Sequence, residues 1–264
     1  MSRIESAFIK RKENGQKALV TFITAGDPDL EATRQLVLEM EKQGADIVEL
    51  GIPYSDPIAE GPVIQRANER ALKNSIKLRN IFDLVSGLRN DTQLPIVFLL
   101  YFNCILQYGP ERFFAECRLA SVDGVIIPDL PFEEKEEIKN IAESAGVDII
   151  SLVSPTSKER VVRIAGDARG FLYCVSSLGV TGMRSSFHTN FDEFFSFINA
   201  STKVPTALGF GISTPEQIAQ LRGYSDGLIV GSAIVKKVEE SSSCEDAVKK
   251  VGEFVKSLRT ALDC

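Results

Sequence analysis

The chain has 264 residues, 36 acidic against 30 basic side chains for a net charge of −6, and 44% hydrophobic residues. Such a length and apolar content predict one compact domain over residues 1–264, with a core that needs no disulfide staples, and the acidic balance opposes nucleic-acid binding, which draws on clustered Lys and Arg. The five cysteines, Cys104, Cys117, Cys174, Cys244 and Cys264, are odd in number and lack metal-ligand spacing, which points to reduced thiols in the cytoplasm, while no stretch has the apolar length of a membrane span or the h-region of a signal peptide.

Residues 1–14 read as a charged amphipathic helix with Ile4, Phe8 and Ile9 on its apolar side. Apolar, β-branched segments then recur at 18–24, 46–50, 95–100, 124–127, 147–152, 170–175, 204–208 and 227–230. Helical periodicity fills the intervals. Leu30, Val37 and Met40 share a face after Asp27-Pro28, and Ile138, Ile141, Ala142 and Ala145 share one after an acidic first turn. Ser213-Thr214-Pro215-Glu216 has the Ser-x-x-Glu spacing of a capping box, with Ile218 and Leu221 following. Eight strands alternating with helices predict a (β/α)8 TIM barrel, a fold of roughly 250 residues, here with an extra N-terminal helix and a long loop after the sixth strand.

Barrels of this type place their chemistry where the strands end. The second strand ends at Glu49 and leads into a loop containing Pro53, Pro57 and Pro62. Each proline fixes one dihedral and biases the residue before it towards extended backbone, so the chain stays out of helix until Pro62, a good first helical residue. Two carboxylates, Glu49 and Glu60, are thereby held with little conformational freedom, an arrangement suited to acid–base work. The sixth strand carries Tyr173. The seventh runs into Gly209-Phe210-Gly211-Ile212-Ser213 and the eighth into Gly231-Ser232-Ala233, each read as a glycine-rich turn that opens a helix. Glycine admits close backbone approach and helix N-termini favour anions, so a phosphate is expected after strands seven and eight. Residues 176–190 include Gly179 and Gly182 and form a long connection, which reads as a lid over the substrate. His188, the only histidine, is assigned no role.

Four segments carry a resemblance that covers the whole chain: Glu-Leu-Gly-Ile-Pro-Tyr-Ser-Asp-Pro-Ile-Ala-Glu-Gly-Pro at 49–62, Val-Ser-Ser-Leu-Gly-Val-Thr-Gly at 175–182, Gly-Phe-Gly-Ile-Ser-Thr-Pro-Glu-Gln at 209–217 and Gly-Ser-Ala-Ile-Val-Lys at 231–236. In family order, they make the chain resemble the alpha subunit of tryptophan synthase. The resemblance implies retro-aldol cleavage of indole-3-glycerol phosphate to indole and glyceraldehyde 3-phosphate. It implies Glu49 as the acid/base at the hydroxyl and at indole C3, and a second carboxylate at the indole N–H. That second position is Glu60 here, where the best-known family pattern has Asp, so the reach is longer by one methylene. Also by resemblance, Tyr173 lies near the reacting end of the substrate, Phe22 and Leu99 pack the indole ring, and Gly182, Gly211, Gly231 and Ser232 hold the phosphate. Thr181 in the lid meets the catalytic carboxylate region on closure, and Asp56 and Asp129 are structural or interfacial, on a rim that the family uses to communicate with its partner subunit. That partner is a beta subunit dimer in an αββα assembly, and it carries pyridoxal phosphate; the alpha chain needs no cofactor of its own.

The residues bear on rival chemistries independently. A Schiff-base aldolase wants a lysine at an inner strand end and a zinc aldolase several histidines; the predicted strand ends offer no lysine, and one histidine cannot supply a zinc site. Two alternatives stay open on sequence. One is another phosphate-binding barrel, such as a sugar-phosphate isomerase or indole-glycerol phosphate synthase. The other is a mainly regulatory subunit that activates a pyridoxal-phosphate beta subunit with little turnover of its own.

Overall fold

The computed structural model describes residues 1–155, 157–175, 191–209 and 211–264. The Thr181, Gly182 and His188 expectations, with the rest of the proposed lid, lie outside these residues.

Eight parallel strands close a barrel in sequence order: β1 (Ala18–Thr24), β2 (Ile47–Gly51), β3 (Ile96–Leu99), β4 (Gly124–Ile126), β5 (Asp148–Val153), β6 (Leu172–Val175), β7 (Thr206–Gly209) and β8 (Gly227–Val230). β8 pairs back onto β1 with Ala18 opposite Gly227. Side chains alternate across each strand. In β2, Ile47 joins the cluster inside the barrel, whereas Val48 and Leu50 join the shell between strands and helices. That shell is covered by α2 (Leu30–Lys42), α3 (Pro62–Lys73), α4 (Leu78–Leu88), α5 (Phe102–Tyr108), α6 (Pro110–Ala120), α7 (Glu136–Ala145), α8 (Lys158–Gly166), α9 (Phe191–Ser201), α10 (Pro215–Leu221), α11 (Ser232–Glu239) and α12 (Cys244–Asp263).

The N-terminal mouth is plugged by α1 (Arg3–Glu13), which starts with a capping box between Ser2 and Glu5. Ile4 and Phe8 are buried there, and Phe8 packs on Phe171 at 5.7 Å between ring centroids. Gly227 makes room for this plug: a Cβ on it would come within 3.0 Å of the Phe8 ring. Ile9, expected on the same apolar side, is instead 41% exposed. Ile4 and Phe8, an i, i+4 pair, are the buried residues of this helix, with Ala7 packed beside them, and a residue five positions after Ile4 has rotated well off that stripe.

Three aspartates tie the strands together at this end. Asp46, Asp123 and Asp226 accept hydrogen bonds from the backbone N–H groups of Leu19, Ile96 and Thr206, at 2.9, 2.8 and 2.9 Å. Each carboxylate stands just before one strand and satisfies a donor at the start of its neighbour. Arg11 and Arg259 pair with Asp46, and Arg3 and Arg89 with Asp123, so α1 and α12 are fastened to the same base.

Two helix starts bear on the opposite mouth. Pro62 is the first helical residue of α3, with Gly61 as N-cap. The helix after β7 is capped one residue later than the sequence reading placed it. Thr214, not Ser213, is the N-cap and accepts from the Gln217 N–H, while the Gln217 side chain accepts from the Ser213 N–H and hydroxyl. Pro215 decides this, because it lacks an N–H and fits the first helical position.

Candidate active site

Glu49 lies on the inner face of β2, opposite Phe22 in the β1 register. Only 1% of it is exposed, and among the described residues its Oε1 has no hydrogen-bond partner. Burial alone raises its pKa from 4.5 to about 8. A carboxyl group in this setting is mostly protonated at neutral pH. Tyr173 projects into the same space from β6; burial first, and the charge of Glu49 second, push its phenol well above the ordinary value. It therefore keeps its proton.

Two glycines make room for these side chains. A Cβ on Gly51 would stand 2.6 Å from the tip of the Phe22 ring, and one on Gly209 would stand 2.7 Å from the Tyr173 hydroxyl. Gly209, read in the sequence as part of a phosphate turn, thus has a steric duty towards Tyr173.

Glu60 ends the loop that crosses the mouth from β2 to α3 and is 5% exposed. Its Oε2 accepts a hydrogen bond from the Tyr101 hydroxyl, which in turn accepts the Ala59 N–H at 2.9 Å. Burial raises the Glu60 pKa, and the charge of Asp129 adds to the rise; the Tyr101 hydrogen bond and the backbone N–H groups of residues 59 and 60 oppose it. The two carboxyls therefore differ in kind. That of Glu49 is desolvated without relief, whereas that of Glu60 has donors that favour its charged form.

Phe22, Glu49, Glu60, Leu99, Tyr173, Gly211, Gly231 and Ser232, every sequence candidate among the described residues, line one pocket. Its remaining wall is mostly apolar, with Ile64, Leu152, Ile212 and Ile229. Leu152 and Ile229 follow the inward parity of their strands. Tyr101, missed in the sequence, lies just past the β3 strand end, where its signal was available. Gly211 has φ +85°, a left-handed conformation that favours glycine. Gly231 is the N-cap of α11 and Ser232 its first residue, so that turn opens a helix as expected. The turn after β7 differs: three residues separate Gly211 from Pro215, so it presents a bent backbone rather than a helix end. Asp129 caps the start of α5, accepting the Phe102 N–H at 2.9 Å, and Asp56 is exposed.

An ionic brace holds the loop's helix. Arg70 of α3 grips Asp27 with two hydrogen bonds, at 2.8 and 2.7 Å, and also reaches Glu239 of α11 at 2.9 Å. Arg66 adds two more bonds to Glu239, and these, ahead of those from Arg70, hold its carboxyl down at about 2. The helix behind Glu60 is thereby tied to the helix that starts at Ser232.

Volume alone does not select this pocket. Its free interior is about 70 Å³, against about 340 Å³ for a cleft between β5, α8 and the segment 127–135 that shares only Pro128 and Leu152 with it. The larger cleft lies outside the barrel wall and its buried Lys135 is already bonded to Ser151 and Asp167. The smaller one holds the two buried carboxyls and the glycine turns.

A closed parallel barrel with one buried carboxyl on β2 and a second in the loop that crosses its mouth places the protein among the (β/α)8 barrels. The family model described as tryptophan synthase alpha chain matches residues 8–263. Tryptophan synthase alpha chains from Caldanaerobacter subterraneus subsp. tengcongensis and Alkaliphilus metalliredigens are 48% and 49% identical, covering 99% and 98% of this chain and 100% and 97% of the relatives. Among solved structures, the tryptophan synthase alpha chain of Legionella pneumophila superposes with a TM-score of 0.88 at 39% identity, over 99% of this chain and 97% of that one. A chain of Mycobacterium tuberculosis tryptophan synthase gives 0.90 at 31%, over 100% and 99%. The chain belongs to the tryptophan synthase alpha chain family.

Proposed function

We propose that Glu49 and Glu60 carry the family reaction in this pocket. As a member of its family, the chain is a carbon–carbon lyase of tryptophan biosynthesis that cleaves indole-3-glycerol phosphate to indole and glyceraldehyde 3-phosphate. The observation that supports this division of labour is the contrast between the carboxyls: burial pushes Glu49 up to about 8 with nothing opposing it, while the rise that burial imposes on Glu60 is opposed by the Tyr101 hydroxyl and the backbone N–H groups of residues 59 and 60.

The protons balance over one cycle. Glu49 donates its proton to indole C3, and positive charge develops on the ring nitrogen. The Glu60 carboxylate accepts the ring N–H and stabilises that charge. Glu49, now a carboxylate, takes the proton from the side-chain hydroxyl as the carbonyl forms and the carbon–carbon bond breaks. The bonding electrons return to the ring, indole is neutral, and Glu49 is again an acid. Positioned acid–base catalysis of this kind contributes roughly 10²- to 10⁴-fold. Tyr173, a phenol that keeps its proton, stands at the reacting end as a donor. Phe22 and Leu99 receive the indole ring, while Gly211, Gly231 and Ser232 receive the phosphate together with Gly182. Thr181 closes on the carboxylate region.

The partner in this reading is a tryptophan synthase beta subunit in an αββα assembly, which takes up the indole and holds the pyridoxal phosphate, so the alpha chain works without a cofactor. Support comes from the rim, where Ile58 and Leu106 are 72% and 51% exposed around the mouth loops. The cytoplasm is the proposed compartment; among the described residues no helix is long and apolar enough to cross a membrane.

The test is indole release from indole-3-glycerol phosphate by the purified chain, alone and with a beta subunit. Release in both samples, faster with the partner, supports the lyase reading. Binding of a substrate analogue without indole release in either sample supports a purely regulatory chain.

A further inference from the structure

Glu60 has three side-chain torsions and, unless something holds it, its carboxylate samples several positions around the mouth of the pocket. Tyr101 supplies what holds it. The phenol is 3% exposed and donates to Glu60 Oε2 while accepting from the Ala59 N–H. Its ring lies against Tyr54 at 4.9 Å between centroids and 30° between planes, and the Tyr54 hydroxyl accepts from Asn103 at 3.3 Å. The first turn of α5, which follows directly, is fixed by Asp129. A tyrosine with only two torsions, packed on one side and hydrogen-bonded at its tip, is a rigid anchor for a flexible carboxylate.

We propose that Tyr101 is a positioning residue for the lyase reaction, binding one oxygen of Glu60 so that the other is presented, ionised, to the indole N–H. The inference rests on the proposed role of Glu60 and adds to it the residue that makes the longer Glu workable. One carboxylate oxygen is taken by the phenol, and the methylene that distinguishes Glu from Asp is used in reaching it.

The groups facing Glu60 fix the direction of the pH effect. Asp129, from the β4 side, disfavours its charge, and Glu49 and Tyr173 line the same pocket. The donors in its favour are the Tyr101 hydroxyl and the backbone N–H groups of residues 59 and 60. With the hydroxyl removed, Glu60 holds its proton to higher pH. The acid limb of kcat/KM, which reports formation of the Glu60 carboxylate in the free enzyme, must then move up.

Tyr101→Phe keeps the ring and its packing on Tyr54. We expect kcat to fall on the order of tenfold, the loss of a hydrogen bond to a charged group, with KM within about twofold and the acid limb shifted to higher pH. Incorporation of 3-fluorotyrosine at position 101 leaves shape and fold intact while making the phenol a stronger donor, and must shift the limb to lower pH. Unchanged limbs in both variants overturn the proposal, as does a loss in Tyr101→Phe expressed wholly in KM. Glu60→Gln separates this from the underlying reading. If Glu60→Gln retains turnover, Glu60 is not the indole acceptor and both readings fall; if it is inactive while the Tyr101 variants keep the wild-type profile, only the positioning role falls.

Discussion

Replacing Glu49 with glutamine has a consequence for stability that can be worked from its burial. In the unfolded chain the carboxyl titrates near 4.5, and in the folded protein near 8. Between those values the folded state holds a proton that the unfolded chain has released, so unfolding releases a proton and stability falls as pH rises. The decline is about 1.4 kcal/mol per pH unit and ends once pH exceeds the folded pKa. The amide introduced by Glu49→Gln cannot ionise and escapes it. The stability difference between Glu49→Gln and wild type should therefore grow in favour of the mutant by about 4 kcal/mol from about pH 5 to about pH 9, taking the shift at its full value. For a chain of this size each kcal/mol moves Tm by roughly 2–4 °C, so side-by-side thermal or urea unfolding at several pH values resolves the effect easily. The same mutant should form no indole. A stability difference that stays constant across this range refutes the reasoning, because it means that Glu49 titrates alike in both states.

Other expectations concern activity and the glycines. Since Glu49 must begin the cycle as an acid, kcat/KM should fall above about pH 8, and a profile flat to about pH 10 contradicts that role. Gly209→Ala places a methyl group where the Tyr173 hydroxyl sits; the folded variant should lose about tenfold or more in kcat by displacing that donor, and a crystal structure with Tyr173 unmoved is the contrary result. Gly211→Val forces a β-branched residue into a left-handed conformation, at a cost of about 1–3 kcal/mol. It should weaken binding of glycerol 3-phosphate measured by calorimetry, and unchanged affinity in the folded variant counts against the phosphate assignment.

The barrel was legible because its strands are short runs of β-branched and apolar residues set between helices with clear periodicity, and in such a strand a lone Glu49 has no other purpose written into it. The proline spacing likewise announced that α3 begins at Pro62. What sequence could not provide was contact across the mouth. Tyr101 and Glu60 stand 41 positions apart and meet only because the loops after β2 and β3 fold over the same opening. The duty of Gly209 was hidden for the same reason, since it depends on how β6 and β7 align, with Val175 opposite Gly209. Local errors had local causes. Ile9 is apolar but lies about 100° round its helix from Phe8, and the Ser213 cap yielded to Thr214 because Pro215 fits the first helical position. The aspartates at the base read as ordinary polar residues until the strands beside them are paired.

The account stands on two carboxyls that divide the proton work between them. Indole formation from indole-3-glycerol phosphate should be measured for wild type, Glu49→Gln, Glu60→Gln and Glu60→Asp in the presence of a beta subunit, with calorimetric binding of a substrate analogue as the control for folding. The expected result is that both Gln variants bind the analogue and form no indole while Glu60→Asp retains turnover. Substantial indole release by either Gln variant would contradict the account.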